Sequence, residues 1–102
     1  MIIFNTTYHV DDRALDDFIK YLRNEFVPNA VQDKEMRNPR LTRVMTQEPQ
    51  EGSSLALQFE IAELDKLDDW YDQIGDALNE DMVAKFGAQV VGFSTLMEMI
   101  EL

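Results

Sequence analysis

Few residues in this chain have the chemistry to act on another molecule. Its one histidine, His9, ends the opening run MIIFNTTYHV and could serve as a general base or a haem ligand. The plainer reading is a strand-end imidazole bonded to water or to Ser94. Asn5 and Gln58 could hold a substrate carbonyl between them, or satisfy each other on a covered sheet face. Arg43 with Glu60 could bind an acidic ligand group, or form an ion pair at a rim. Thr7, Ser94 and Glu98 complete the set of polar side chains that strand alternation places on the same face as Asn5 and His9. Asp65, Asp68, Asp69, Asp72 and Asp76 recur at three- and four-residue spacing. Helix carboxylates alone rarely wrap a cation, so an exposed acidic face is the better reading and no metal is expected. Trp70-Tyr71 could form a cofactor shelf, but a helical stripe of this kind is usually core, with one ring at its margin. There is no cysteine, which removes disulfides, thiolate metal sites and thiol nucleophiles.

The elements that must position these residues are legible. In the first run Ile2, Phe4, Thr6, Tyr8 and Val10 point one way, and Ile3, Asn5, Thr7 and His9 the other. Asp11 and Asp12 follow as candidate helix caps. Leu15, Phe18, Ile19, Leu22 and Phe26 then repeat at helical spacing until Pro28, which should break or kink the helix. Asn38-Pro39 is a turn signal. A second strand over 41–47 has two ambiguous faces, as befits a sheet edge. A hairpin loop over 48–53 leads to a third strand, where Leu55, Leu57, Phe59 and Ile61 face the core. A helical pattern runs from about residue 63 to 85, with a kink expected near Gly75-Asp76 and a C-terminal cap at Gly87. A last strand over about 89–100 carries Val91, Phe93, Met97 and Met99 on its apolar side.

This order, β-α-β-β-α-β, reduces to an α+β ferredoxin-like sandwich with an antiparallel sheet and both helices on one face. One such domain accounts for residues 1–102. The expected core face is Phe4, Thr6, Tyr8, Leu57, Phe59, Val91, Phe93 and Met97. The opposite face then holds Ile3, Asn5, Thr7, His9, Ala56, Gln58, Glu60, Ser94, Leu96, Glu98 and Ile100. Its mixture of aliphatic and uncharged polar groups suits a second layer that encloses water or a ligand. A second copy of the sheet about a two-fold axis is the simplest such layer.

Composition narrows the function classes. Acidic residues number 20 and basic residues 9, for a net charge of −11. Such a surface repels phosphate, so nucleic acid is not an expected partner. No apolar stretch approaches the roughly 20 residues of a membrane helix, and the opening lacks a basic, cleavable leader. A cytoplasmic location is expected. No phosphate loop, dinucleotide fingerprint or metalloprotease motif is present.

Several stretches resemble a family of small bacterial proteins of unknown function that begin M-I-I-[YF]-N. They are M-I-I-F-N-T-T at the start, V-D-D at 10–12, E-F-V-P at 25–28, K-F-G at 85–87 and V-G-F-S-T-L-M-E at 91–98. The resemblance spans nearly the whole chain. It implies the dimeric α/β-barrel variant of the ferredoxin-like fold, a plan shared with cofactor-independent monooxygenases, haem-degrading monooxygenases and muconolactone isomerases. The expectation is a homodimer that needs no cofactor and binds a small organic molecule in a semi-polar cavity. The candidate lining is Asn5, Thr7, His9, Arg43, Gln58, Glu60, Ser94 and Glu98. Two alternatives are a cofactor-independent monooxygenase or isomerase using His9, Asn5 and Gln58, and an acidic module that docks a basic protein.

Overall fold

The computed structural model describes residues 1–102. Strand β1 is Ile2–Val10, β2 Arg37–Arg43, β3 Ser53–Ile61 and β4 Val90–Glu98. They form one antiparallel sheet in the order β2-β3-β1-β4. Helix α1 (residues 15–30) connects β1 to β2, and α2 (residues 64–86) connects β3 to β4. This is the ferredoxin-like arrangement, with β1 and β3 central and their alternate residues buried beneath the helices. Phe4, Tyr8, Val10, Leu55, Leu57, Phe59 and Ile61 supply the sheet's share of the core.

Each helix contains one widened turn, and each turn has a local cause. In α1 the segment Leu22–Phe26 is π-helical, and the Val27 N–H donates to the Leu22 carbonyl, five residues back. Pro28 follows directly. It has no N–H to return to the preceding turn, and its ring crowds the carbonyl there. The helix therefore widens instead of breaking and continues to Ala30. In α2 the π-helical turn is Tyr71–Gly75, closed by the Asp76 N–H on the Tyr71 carbonyl. A side chain at Gly75 would collide with Trp70, because an ideal Cβ there lies 2.3 Å from the indole Cζ3.

Trp70 fastens the helices together. It is 2% exposed, and its Nε1–H donates to the Ala30 carbonyl at 2.8 Å. A second link lies further along: the Tyr21 hydroxyl donates to Asp81 Oδ2 at 2.9 Å. Lys85 Nζ bridges Asp81 and Glu25 at 3.2 and 2.8 Å and sits over the Tyr21 ring.

Several expectations need correction. Asp11 and Asp12 do not cap α1. The Asp11 carboxylate accepts the Arg13 N–H and guanidinium, closing the turn before the helix, and Asp12 accepts the Gly52 N–H. Strand β2 lies earlier than residues 41–47. The Asn38-Pro39 signal is a bulge within it: Asn38 has φ +52°, and the register slips between Arg37 and Arg40. Proline is tolerated there because β2 is an edge.

The largest correction concerns β4. Thr6 lies opposite Ser94, Thr7 opposite Phe93, and Tyr8 opposite Gly92. Val91, Phe93 and Met97 therefore face away from the helices, and Ser94, Leu96 and Glu98 face toward them. Gly92 fixes this phase. Its position lies under the Tyr8 ring, where a Cβ would come within 2.8 Å of Tyr8 Cδ1.

Gly75→Ala sets two effects against each other. Alanine has the better helix propensity, by about 1 kcal/mol, whereas overpacking costs about 1–3 kcal/mol. At 2.3 Å the collision dominates, and urea unfolding is expected to show a net loss of roughly 1–2 kcal/mol. A variant as stable as the parent would contradict the role given to Trp70 and Gly75.

Candidate functional site

The helices cover β1 and β3 but leave the helix-facing side of β4 partly bare. A cleft of about 270 Å³ opens there, between α2 and the β1–β4 pair. Its floor is aromatic. Phe4, Trp70 and Tyr71 meet edge to face, with ring centroids 5.2–5.9 Å apart. Phe26, Met82 and Leu57 close the inner end, and Asn79 and Val83 of α2 stand at the mouth opposite Gly92 and Ser94 of β4.

A small polar strip crosses this apolar surface. Thr6 Oγ1 and Ser94 Oγ lie 3.0 Å apart across the β1–β4 ladder. The Ser94 hydroxyl also acts on the Tyr71 phenol, and Thr6 acts on Tyr8. Burial outweighs both hydroxyls. It pushes the Tyr8 phenol far above its ordinary value and the Tyr71 phenol in the same direction, with Asp76 adding to the rise at Tyr71. Both rings therefore keep their protons at neutral pH and offer hydroxyl groups, not phenolates. The strip can donate to and accept from one oxygen of a bound molecule while the rings cover its apolar part.

The residues singled out from the sequence divide between the two faces. Asn5, Thr7, His9, Gln58 and Glu60 share the face turned away from the helices. Asn5 is 8% exposed; its Nδ2 donates to Thr7 Oγ1 at 3.1 Å, and its Oδ1 is buried without a partner. Gln58 lies opposite Asn5 in the ladder. His9 is exposed and lies 3.3 Å from Ser54 Oγ, so its neighbour is Ser54 and not Ser94. Glu60 accepts from Asn38 Nδ2 at 2.9 Å.

Arg43, Ser94 and Glu98 are on the helix-facing side. Arg43 lies opposite Leu55 and makes no ion pair with Glu60; Arg40 and Arg37 are the residues opposite Gln58 and Glu60. Glu98 is opposite Ile2 and exposed. Of the whole set, only Ser94 borders the cleft. Its partner Thr6 and the neighbouring Tyr8 read from the sequence as ordinary core-face positions, whereas Tyr71 stands out with Trp70 as a possible shelf at the core's margin. The available signal was Thr6, a hydroxyl on an otherwise apolar face of β1; Ser94 and Gly92 gave none, because the more apolar side of β4 is the one turned away from the helices.

All three tyrosines of the chain have raised pKa values, Tyr21 through burial and its bond to Asp81. A raised folded-state pKa contributes stability below the ordinary value of 10.0 and loses it as pH climbs through the folded value. Absorbance at about 295 nm should therefore show far less than half the phenolate at pH 10 in the folded protein, and a step upward when urea is added. Half-ionisation at pH 10 without unfolding would contradict the burial of these hydroxyls.

No protein of curated function matches the sequence. Solved structures of the same fold do. An ethyl tert-butyl ether (EthD) family protein from Bacillus halodurans C-125 superposes with a TM-score of 0.70 at 13% identity, covering 98% of this chain and 100% of its own. HapK from Hahella chejuensis gives 0.72 at 12%, covering 98% and 93%. A protein from Shewanella loihica PV-4 described as a candidate monooxygenase gives 0.61 at 13%, covering 99% and 95%. At these identities the likeness speaks for the fold alone. The model of a domain of unknown function, DUF4286, matches residues 1–100, and the chain belongs to that family.

Proposed function

We propose that this protein binds a small, uncharged organic molecule in the cleft between α2 and β4. The observation that carries the reading is the Thr6–Ser94 hydroxyl pair beside Tyr71 in an otherwise aromatic cleft. At about 270 Å³ the cleft lies at or below the lower end of drug-sized pockets, roughly 300–1,000 Å³. It suits a single-ring molecule with one carbonyl or hydroxyl oxygen. Asp76 and Glu80 lie on the same stretch of α2 as Asn79 at the mouth, which disfavours an anion.

An oxygenase or isomerase reading draws on the likeness to the Shewanella protein. Proton abstraction near neutral pH would need a base of matched pKa. The ionisable side chains lining the cleft are phenols that hold their protons, and His9 lies on the other sheet face. Binding is the reading these groups favour.

We further propose that the other sheet face is covered by a second copy of the chain. Val91 and Phe93 are 58% and 66% exposed there, beside Ile3 and Met97, and the Asn5 Oδ1 is buried without a partner. An apolar strip next to an unsatisfied amide suits an isologous interface better than open water.

Trp70 is the only tryptophan and lines the cleft, so its fluorescence reports occupancy. Titration with single-ring ketones and phenols is expected to give saturable changes, with Kd below about 1 mM for the best probe. Ser94→Ala should weaken that probe by about two- to tenfold, the worth of one hydrogen bond, and Val83→Trp should block it. A panel without saturable binding, or binding indifferent to both substitutions, would remove the proposal. Light scattering after size exclusion should give about twice the 11.9 kDa chain mass, falling to one chain for Phe93→Asp. A wild-type monomer at micromolar concentration would overturn the dimer.

A further inference from the structure

The two edges of the sheet are built differently. Strand β2 carries the devices that keep strands from pairing by accident: three arginines, a proline and the bulge at Asn38-Pro39. Strand β4, the other edge, has none of them. Its register against β1 runs unbroken from Val90 to Glu98, and Glu98 is its one charged residue. Only its inner side is paired. The Asp11 N–H donates to the Gln89 carbonyl and the Met99 N–H to the Met1 carbonyl, which places the hydrogen-bonded pairs at the odd-numbered residues of β4. Val90, Gly92, Ser94, Leu96 and Glu98 therefore turn their N–H and C=O groups outward. Every residue of the strand after Val90 is exposed. An edge of this kind is a template for one more strand.

The surroundings select what that strand is. Successive side chains of an added strand alternate between the two sheet faces. Those on the outer face continue the exposed apolar row Val91, Phe93 and Met97. Those on the helix side stand by the mouth of the α2–β4 cleft. There Asp76 and Glu80 are exposed on the same stretch of α2 as Asn79 and Val83, and Glu98 ends β4; none of the three carboxylates is in an ion pair. We propose that the β4 edge binds an extended peptide segment in which lysine or arginine alternates with apolar residues, the cations toward Asp76, Glu80 and Glu98 and the apolar side chains beside Val91, Phe93 and Met97. A second copy of β4 suits this edge poorly, because pairing two β4 strands brings two acidic α2 helices together. The net charge of −11 instead draws a basic segment in. The site consists of backbone groups and the carboxylates at the cleft mouth, not the hydroxyls inside, so it stands whether or not the cleft holds a ligand. It concerns the edge of the sheet, not the face given above to a second copy.

The test is a titration of the isotope-labelled full chain with an alternating lysine–valine octapeptide, blocked at both ends and followed by NMR. The peptide is expected to bind with Kd below about 1 mM, to shift the amides of Gly92, Ser94 and Leu96, and to slow their exchange with solvent. Two control peptides separate the contributions. An alternating glutamate–valine octapeptide should bind about tenfold more weakly. The lysine–valine peptide with every amide N-methylated keeps its charge but has no backbone donors, and should not protect the β4 amides. Asp76→Asn/Glu80→Gln, both at exposed positions, should weaken the lysine peptide by about threefold to tenfold. Leu96→Pro removes an outward donor and leaves the β1–β4 bonds in place, a position where an edge tolerates proline; it should weaken the peptide by about tenfold or more, with the amide spectrum verifying the fold. The proposal is overturned if the lysine peptide does not bind at about 1 mM, if the N-methylated peptide or the glutamate peptide binds as tightly, or if the shifts leave the β4 amides untouched. Edge amides that respond to dilution of the protein alone, and not to the peptide, would assign the edge to a second copy and overturn it as well.

Discussion

The hydrogen bond from the Trp70 indole to the Ala30 carbonyl is the constraint around which the helical layer is arranged. Ala30 ends α1, where carbonyls have no partner within the helix. A buried indole N–H also needs an acceptor. One bond of 2.8 Å satisfies both groups and sets how closely α2 approaches α1. The indole fits only because residue 75 is glycine. The same ring meets Phe4 on the sheet and Tyr71 beside it in the chain, so one side chain joins both helices and the floor of the α2–β4 cleft.

The widened turns carry this constraint into the site. An α-helix advances about 100° per residue, so one extra residue in a turn rotates everything beyond it by about that angle. Before the turn, Leu67 and Trp70 are buried; beyond it, Met82 is buried and Asn79 and Val83 face the cleft mouth. Tyr71, the first residue of the widened turn, is left half-buried at the core's margin, where it lines the cleft together with Ser94. In α1 the widened turn lets the helix pass Pro28 and deliver the Ala30 carbonyl to Trp70. Proline and glycine act here as the residues that make each helix reach its contact, not as helix ends.

Charge separates the two edges of the molecule. Carboxylates crowd the outer face of α2 beside the cleft on β4, whereas arginines gather at β2. The two edge strands thus present different electrostatic surroundings. Lys85, paired with Asp81 on its own helix, holds the end of α2 to α1 through Glu25, Arg13 pairs locally with Asp11, and the β2 arginines are left unengaged.

Strands β1 and β3, both helices, their order and the resulting ferredoxin-like topology were determined by the sequence alone. In each of those elements one face is apolar and the other is not, so alternation or helical spacing names the buried side. Strand β4 lacks that asymmetry. Val91, Phe93 and Met97 make one face the more apolar, yet that face points away from the helices, and Ser94 with it changes sides. Tertiary structure decided this through Tyr8, whose ring needs the space that only Gly92 leaves. The facing of Arg43 was likewise set by a bulge at Asn38-Pro39 that reads locally as a turn. Period-two alternation distinguishes two faces but cannot say which one is covered. That depends on what packs against them, and at β4 the helices leave a cleft where a core was expected.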